Sequence, residues 1–245
     1  SRLSDINIPE SVTRIERSAF SHCSQLKNIT FPNSLTFLGS SAFLNCSKIE
    51  AINIPANVSV IESRCFMGCN NAQSVVVAEN NPIYDSRDGC NAIIETATNT
   101  LVFGSINTTV IPNTIMRVGE SAFTNATKLS SIEIPESVTR IEKGGFSSSG
   151  LKDVILPERL TYLGVESFQY CRNLEYIYIP ARVSIIESKC FSGCTGLKTL
   201  RVKWKTPFGA SEGLQIFNNV DLSTVTLYVP KGTKALYESA EVWKS

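Results

Sequence analysis

FSHCSQLKNITFPNSLTFLGSSAF, residues 20–43, begins and ends one structural cycle. Its apolar residues fall at Phe20, Cys23, Leu26, Ile29, Phe31, Leu35 and Leu38, and Phe43 restarts the cycle after 23 residues. The step of two between Ile29 and Phe31 is the period of a β-strand, whose alternate side chains share a face. The steps of three suit tight bends or helical turns. One such cycle has too little apolar surface to bury itself, but stacked cycles can align their Phe, Leu and Ile into shared ladders.

The period extends along the chain in both directions. Phe20, Phe43 and Phe66 form one series, and Phe123, Phe146, Phe168 and Phe191 a second. Pro9, Pro32 and Pro55 follow the same period, as do Pro112, Pro135, Pro157 and Pro180. Each proline sits just after the strand pair, as in Ile54-Pro55, where its fixed φ and missing N–H end the strand. A second short apolar pair follows, such as Val58 and Ile61. A larger duplication overlies the period. IPESVTRIE occurs at 8–16 and again at 134–142, and IPANVSVIESRCFMGC at 54–69 matches IPARVSIIESKCFSGC at 179–194. Copying a block of coils lengthens a solenoid without requiring a new core.

The expected fold is therefore a repeat solenoid, with a β-strand and short β or helical turns in each coil of ~23 residues. Residues 1–202 are assigned to the solenoid and 203–245 to a C-terminal capping segment of the same domain. In the cap, Leu222–Val229 is read as strands and Lys234–Trp243 as a short helix, with Tyr237 and Trp243 covering the last coil. Residues 78–110 break the period. Asn80-Asn81-Pro82 and Asp88-Gly89 have turn chemistry, and Ala92–Ile94 and Thr100–Phe103 read as strands of a β-hairpin-like insertion. The insertion is expected to carry the sheet on from coil 72–77 into coil 109–134.

The cycle F-x-x-C-x-x-L-x-x-I-x-F-P-x-x-L-x-x-L resembles the BspA-type (treponemal-type) leucine-rich repeats of surface proteins, over nearly the whole chain. The insertion and the tail VDLSTVTLYVPKGTKALYESAEVWKS, 220–245, look like elements of the same family. The resemblance implies a right-handed superhelix, export to the cell surface or secretion, and binding to proteins of a host or a neighbouring cell. It names no ligand, because fold does not fix function.

Composition narrows the classes of function. Lys plus Arg is 23 and Asp plus Glu 22, a net charge of +1 that gives no general attraction for nucleic acid. No apolar stretch approaches the length of a transmembrane segment. The first residues, Ser1-Arg2-Leu3, already read as repeat pattern and not as an export signal, which says little about location.

No catalytic, cofactor-binding or metal-binding residues are expected. Cys23, Cys46, Cys69, Cys171 and Cys194 all lie three residues after a ladder phenylalanine, where Ala126 and Ser149 stand in other coils. Cys65 and Cys190 share the slot of Ala19, Ala42 and Ala122. Slots that accept Cys, Ala or Ser call for a small buried side chain, so thiols are favoured over zinc or disulfides. His22, the one histidine, lies beside Cys23, and adjacent residues on a tight turn point apart, which argues against a nucleophilic pair. Asp85, Asp88 and Asn91 resemble a cation loop but offer few oxygens.

A partner would meet the outward strand columns. The first block supplies Asn28, Thr30, Ala51, Asn53, Ser74 and Val76, and the second Ser131, Glu133, Asp153, Ile155, Tyr176, Tyr178, Thr199 and Arg201. Tyrosine and arginine dominate binding hot spots, so Tyr176, Tyr178 and Arg201, with Ile155 and Glu133, are the candidate partner-binding residues. A second outward column contains Phe37 and Tyr162, apolar where water is expected. Protein adhesion, to host extracellular matrix or another cell surface, is the first functional reading. A carbohydrate-binding surface module is the second, with Tyr176 and Tyr178 as its platform. An enzyme is the third and lacks nucleophile, base and metal signatures.

Overall fold

The computed structural model describes residues 3–207, 215–240 and 243. The chain is a β-solenoid of about nine turns with coils of ~23 residues and little helix. Most coils contribute one strand to a front ladder and one two-residue strand, after the proline, to a side ladder. Both ladders are parallel, because every coil runs in the same direction. On the front, Ala51–Ile54 pairs with Ser74–Val77, and Asp153–Ile155, Tyr176–Ile179, Thr199–Val202 and Thr226–Tyr228 form a four-stranded sheet. On the side, Arg14–Ile15, Phe37–Leu38 and Val60–Ile61 form one sheet. A second side sheet contains Arg117–Val118, Arg140–Ile141, Tyr162–Leu163 and Ile185–Ile186.

The ladder phenylalanines stack as the period requires. Phe20, Phe43 and Phe66 lie 5.3 and 5.5 Å apart between ring centroids, and Phe123, Phe146, Phe168 and Phe191 lie 5.0 to 5.6 Å apart. The bends on either side of each phenylalanine need left-handed backbone, two residues before and two after it. Ser41 and Asn45 flank Phe43 with φ of 57° and 58°. Asparagine and glycine tolerate this region best, which explains Asn45, Gly68, Asn125 and Gly193 in that slot.

The insertion is an antiparallel hairpin of Ala92–Glu95 and Thr100–Gly104, flanked by Tyr84–Asp85. Both of its faces are buried. Ile93 and Phe103 pack into the core of the first block, while Ala92, Ile94 and Leu101 pack into that of the second. Consecutive apolar residues at Ile93 and Ile94 reflect this two-sided burial. Thr100 and Leu101 pair with Arg117 and Val118, so the hairpin starts the second side sheet.

The front sheet does not continue across the insertion as expected. The edge of Ser74–Val77 is capped by side chains: Val75 N–H donates to Asn91 Oδ1 at 3.2 Å and Val77 N–H to Ser86 Oγ at 3.0 Å. The first side sheet ends similarly, with Ile61 N–H donating to the Tyr84 hydroxyl at 2.9 Å. Beyond the insertion the front resumes only as a single bridge between Val110 and Glu133. Asparagines stitch this seam: Asn81 Nδ2 donates to Pro55 O and Val58 O, and Asn70 Nδ2 to Gly104 O, all at 2.9 Å.

At the C-terminus, Leu222–Thr224 is a 3-10 turn, not a strand, because Asp221 caps it by accepting from Ser223 N–H at 3.1 Å. The strand is Thr226–Tyr228 and the helix Lys234–Glu238. Trp243 packs edge-on against Phe217, Trp204 and Tyr237, at 5.8 to 5.9 Å. Residues 1–2 of the repeat pattern, and 208–214, 241–242 and 244–245 of the capping segment, lie outside the described residues.

Candidate binding face

The front sheet of the second block brings most of the candidate residues together. Parallel register aligns Ile155 with Tyr178, Tyr178 with Arg201, and Arg201 with Tyr228, so the four form one straight row across four strands. A neighbouring row aligns Asp153, Tyr176, Thr199 and Thr226. Burial alternates along Tyr176–Ile179, with Ile177 and Ile179 buried and the tyrosines half-buried. Ile155 is 68% exposed and Tyr228 55%, high values for large apolar surfaces. Glu133 is exposed but stands outside this sheet, on the coil that bridges to Val110.

Tyr178 is held in place. Its hydroxyl donates to Glu158 Oε1 at 2.5 Å, and Lys203 Nζ donates to the same oxygen at 2.9 Å. Lys203 Nζ also lies 5.5 Å from the centre of the Tyr178 ring. Partial burial and the bond to the Glu158 carboxylate push the tyrosine's pKa up. The Tyr178 hydroxyl and Lys203 hold the Glu158 carboxyl below its ordinary value. At neutral pH the three groups are therefore a neutral donor, an anion and a cation. A side chain fixed before binding loses less rotamer entropy on contact.

Sequence reasoning missed Glu158, Lys203 and Tyr228. Glu158 and Lys203 are 45 residues apart and meet only through coil stacking. Tyr228 had a usable signal, the alternation Thr226-Leu227-Tyr228, once the tail strand is set in register with Arg201.

The side column has a packing explanation. The Arg14 guanidinium lies 3.7 Å from the Phe37 ring centre, and Arg140 lies 3.7 Å from that of Tyr162. In each block the same arginine also pairs with a glutamate, Glu16 or Glu142. Phe37 and Tyr162 are the cation–π bases of a repeated device.

The cysteines serve the stack. Cys46, Cys69, Cys171 and Cys194 donate S–H to the carbonyls of Phe20, Phe43, Phe146 and Phe168 on the preceding coil, at 3.0 to 3.1 Å. All eight are buried free thiols. Burial pushes Cys65 well above its ordinary pKa and Cys190 up to about 12, which suppresses thiolate. His22 is exposed at a left-handed turn position, whereas Cys23 is buried. The oxygens of the suggested cation loop do not converge. Asp85 is engaged by Arg87 at 2.5 Å and by Thr96 at 2.8 Å, while Asn91 Oδ1 caps the front strand. Among the described residues no helix is long and apolar enough to cross a membrane.

Comparison with known proteins places this geometry. The BspA type leucine rich repeat region matches residues 1–92 and 94–209, in six copies. A leucine rich cell surface protein from Faecalibacterium prausnitzii A2-165 shares the fold with a TM-score of 0.75 and 22% identity, over 98% of this chain and 62% of that one. The pneumococcal vaccine antigen PcpA does so with a TM-score of 0.70 and 21% identity, over 97% and 65%. A leucine-rich repeat protein from Bacteroides ovatus ATCC 8483 is 25% identical with a TM-score of 0.58, over 97% and 59%. The chain thus spans 59% to 65% of the length of these three proteins. No curated protein matches it. With its period, its stacked phenylalanines and a match over most of its length, the chain belongs to the BspA-type leucine-rich repeat family.

Proposed function

We propose that the protein is a non-enzymatic, surface-displayed repeat scaffold that binds another protein through the front of its second block. The observation that carries this reading is the row Ile155, Tyr178, Arg201 and Tyr228. It combines exposed apolar area with an aromatic held in position and an arginine, the side-chain types that concentrate binding energy. The family and the leucine rich cell surface protein of similar fold favour display at a cell surface, and the partner class proposed is a protein of host extracellular matrix or of another cell surface. The carbohydrate reading is weaker, because the Tyr178 hydroxyl is engaged by Glu158 and Lys203 stands over its ring.

Capture from a panel of matrix proteins, beside a glycan array, tests the class of partner. With a captured protein, Tyr176→Ser with Tyr178→Ser should weaken binding by roughly 2 kcal/mol or more, with melting temperature unchanged. Equal binding by variant and parent would move the site off this face. Binding to glycans alone would replace the protein reading with the carbohydrate one.

A further inference from the structure

One coil of the second block is a residue short. Phe146 and Phe168 are 22 residues apart, where the other adjacent ladder phenylalanines of each block are 23 apart. The residue is lost between the phenylalanine and the front strand. Leu151 follows Phe146 by five positions, whereas Leu129 and Leu174 follow Phe123 and Phe168 by six. The shortened turn is drawn inward: Gly150 N–H donates to the Ala126 carbonyl at 3.0 Å, and Ser149 and Gly150 are buried. A Cβ on Gly150 would lie 2.1 Å from the Thr127 carbonyl oxygen, so only bare backbone fits. The longer turns on either side leave a notch of about 410 Å³, floored by Ser148–Gly150 and walled by Thr127 on one side and Tyr170, Arg172 and Asn173 on the other.

The side chains around this notch are free for contact. Asn71 holds the slot of Asn173 in its own coil and donates to the preceding coil's Ser47 carbonyl at 3.1 Å. Asn173 has no such partner, because the preceding coil is the shortened one. Among the described residues, no side-chain hydrogen bond or ion pair engages Tyr170, Arg172, Asn173, Thr127 or Ser148. Tyr170 is the unusual member. It is 43% exposed and takes the left-handed position two residues after the phenylalanine, with φ of 57°. Asn45, Gly68, Asn125, Gly193 and Asn219 hold that position in other coils, as its backbone favours. The Tyr170 ring lies beside Gly193, where a Cβ would come within 2.4 Å of it, and the Arg172 guanidinium is 5.9 Å from its centre. Backbone strain kept at an exposed ring outside the phenylalanine stack points to a use beyond the fold.

We propose that the notch binds a sugar acid, a single pyranose ring that carries a carboxylate. The sugar lies against Tyr170, its carboxylate pairs with Arg172, and its hydroxyls meet Asn173, Thr127 and Ser148. The lining selects this class. Arg172 is the one charged residue in it, so a neutral sugar would leave the guanidinium unmatched. The N–H groups of Ser148, Ser149, Gly150, Tyr170 and Arg172 are all taken by carbonyls, so the notch offers no amide cradle for phosphate. A small carboxylate such as acetate would use Arg172 alone and leave the ring and the amide idle. The volume lies near the lower end of the ~300–1,000 Å³ of ligand pockets, which suits one ring and not a chain laid flat. Ile155, Tyr178, Arg201 and Tyr228 do not line the notch, so the site does not depend on the reading given to the front row.

An NMR titration of the whole chain tests the notch, using methyl β-glucuronide and the α-methyl glycoside of N-acetylneuraminic acid. These glycosides stand for a sugar acid at the end of a chain. At least one should shift the Gly150 N–H, the Asn173 side-chain amide and the Tyr170 ring, with saturation in the millimolar range. Methyl β-glucoside and acetate should bind about 10-fold more weakly or less, the usual scale for losing one charge-assisted pair. Arg172→Gln should bring the acid down to the level of the glucoside. Tyr170→Asn restores the residue type of Asn45 and Asn125, so it should abolish binding without lowering the melting temperature. The Tyr176→Ser, Tyr178→Ser variant should respond as the parent does. Unmoved resonances with both acids would overturn the proposal, as would equal binding of glucoside or acetate. So would binding that survives Tyr170→Asn or is lost in the front-row variant.

Discussion

The two blocks of coils share a backbone and a core but present different fronts. Phe43 and Phe168 are both fully buried in their stacks, and Arg14 on Phe37 is repeated as Arg140 on Tyr162. Where the first block has Ala51, Asn53, Ser74 and Val76, the second has Tyr176, Tyr178, Thr199 and Arg201. Glu158 and Lys203 correspond to Asn33 and Ala78, so the contacts that fix Tyr178 have no counterpart. What the copies share is what the solenoid needs to stack. What they do not share is surface that the fold leaves open to other demands.

The largest expected effect tests the shared part. Phe43→Ala and Phe168→Ala should each cost ~3–5 kcal/mol, the usual range for a fully buried aromatic. Urea unfolding of both variants measures it. The two rings are equally buried and each stacks on two neighbours, so their costs should fall in the same range, with Phe43 the costlier because its edge contact with Phe31 at 5.6 Å is replaced by Leu156 in the second block. A large difference would show that the blocks are not energetically equivalent, and a small cost in both would remove the phenylalanine ladder as the main support of the core.

The seam is the next point of strain. A Cβ at Gly104 would lie 2.1 Å from the Phe123 ring, so Gly104→Ala forces a fully buried aromatic to move. Overpacking of this kind should cost ~1–3 kcal/mol, read from the same unfolding curves. We also propose that the blocks and the insertion form one continuous unit, because the hairpin gives one face to each core. Limited proteolysis of the parent should then leave no pair of stable fragments divided near residue 90. A Gly104→Ala variant as stable as the parent would mean that Phe123 has room the packing does not show.

Most of the stack was legible in the sequence, and much of the seam was not. The period of Phe, Pro and Leu specifies the coil because each coil must place the same residues over the same neighbours. Ile93 and Ile94 announced strand but not that each would serve a different core. Asn70, Asn81 and Asn91 look like ordinary loop residues, and their work as caps for broken ladders depends on where the hairpin lands. The row from Ile155 to Arg201 followed from alternation alone. Its surroundings did not, because Glu158 reaches Tyr178 from 20 residues away and Lys203 from the strand's far end. Phe37 and Tyr162 were ambiguous for a similar reason, since the arginine that covers each belongs to the preceding coil.

The smallest effect is the most local one and separates the two fronts by pH. Glu158 is held below its ordinary pKa of 4.5 by the Tyr178 hydroxyl first and Lys203 second. A carboxyl with a depressed folded pKa favours the folded arrangement at neutral pH, and that contribution is lost as pH falls through the folded value. Acidification should therefore release Tyr178 only after exposed glutamates of ordinary pKa have titrated. The Tyr178 ring resonances, followed by NMR from neutral to strongly acidic pH, should move with a midpoint below 4.5. Glu158→Gln should remove that transition while leaving the melting temperature nearly unchanged, since exposed ion pairs contribute little to stability. Asn53, the first block's counterpart of Tyr178, should report no such midpoint, because Asn33 and Ala78 beside it do not ionise. A Tyr178 midpoint at or above the ordinary carboxyl value would show that the ring is not tied to Glu158, and the second front would then differ from the first in composition without being the more rigid of the two.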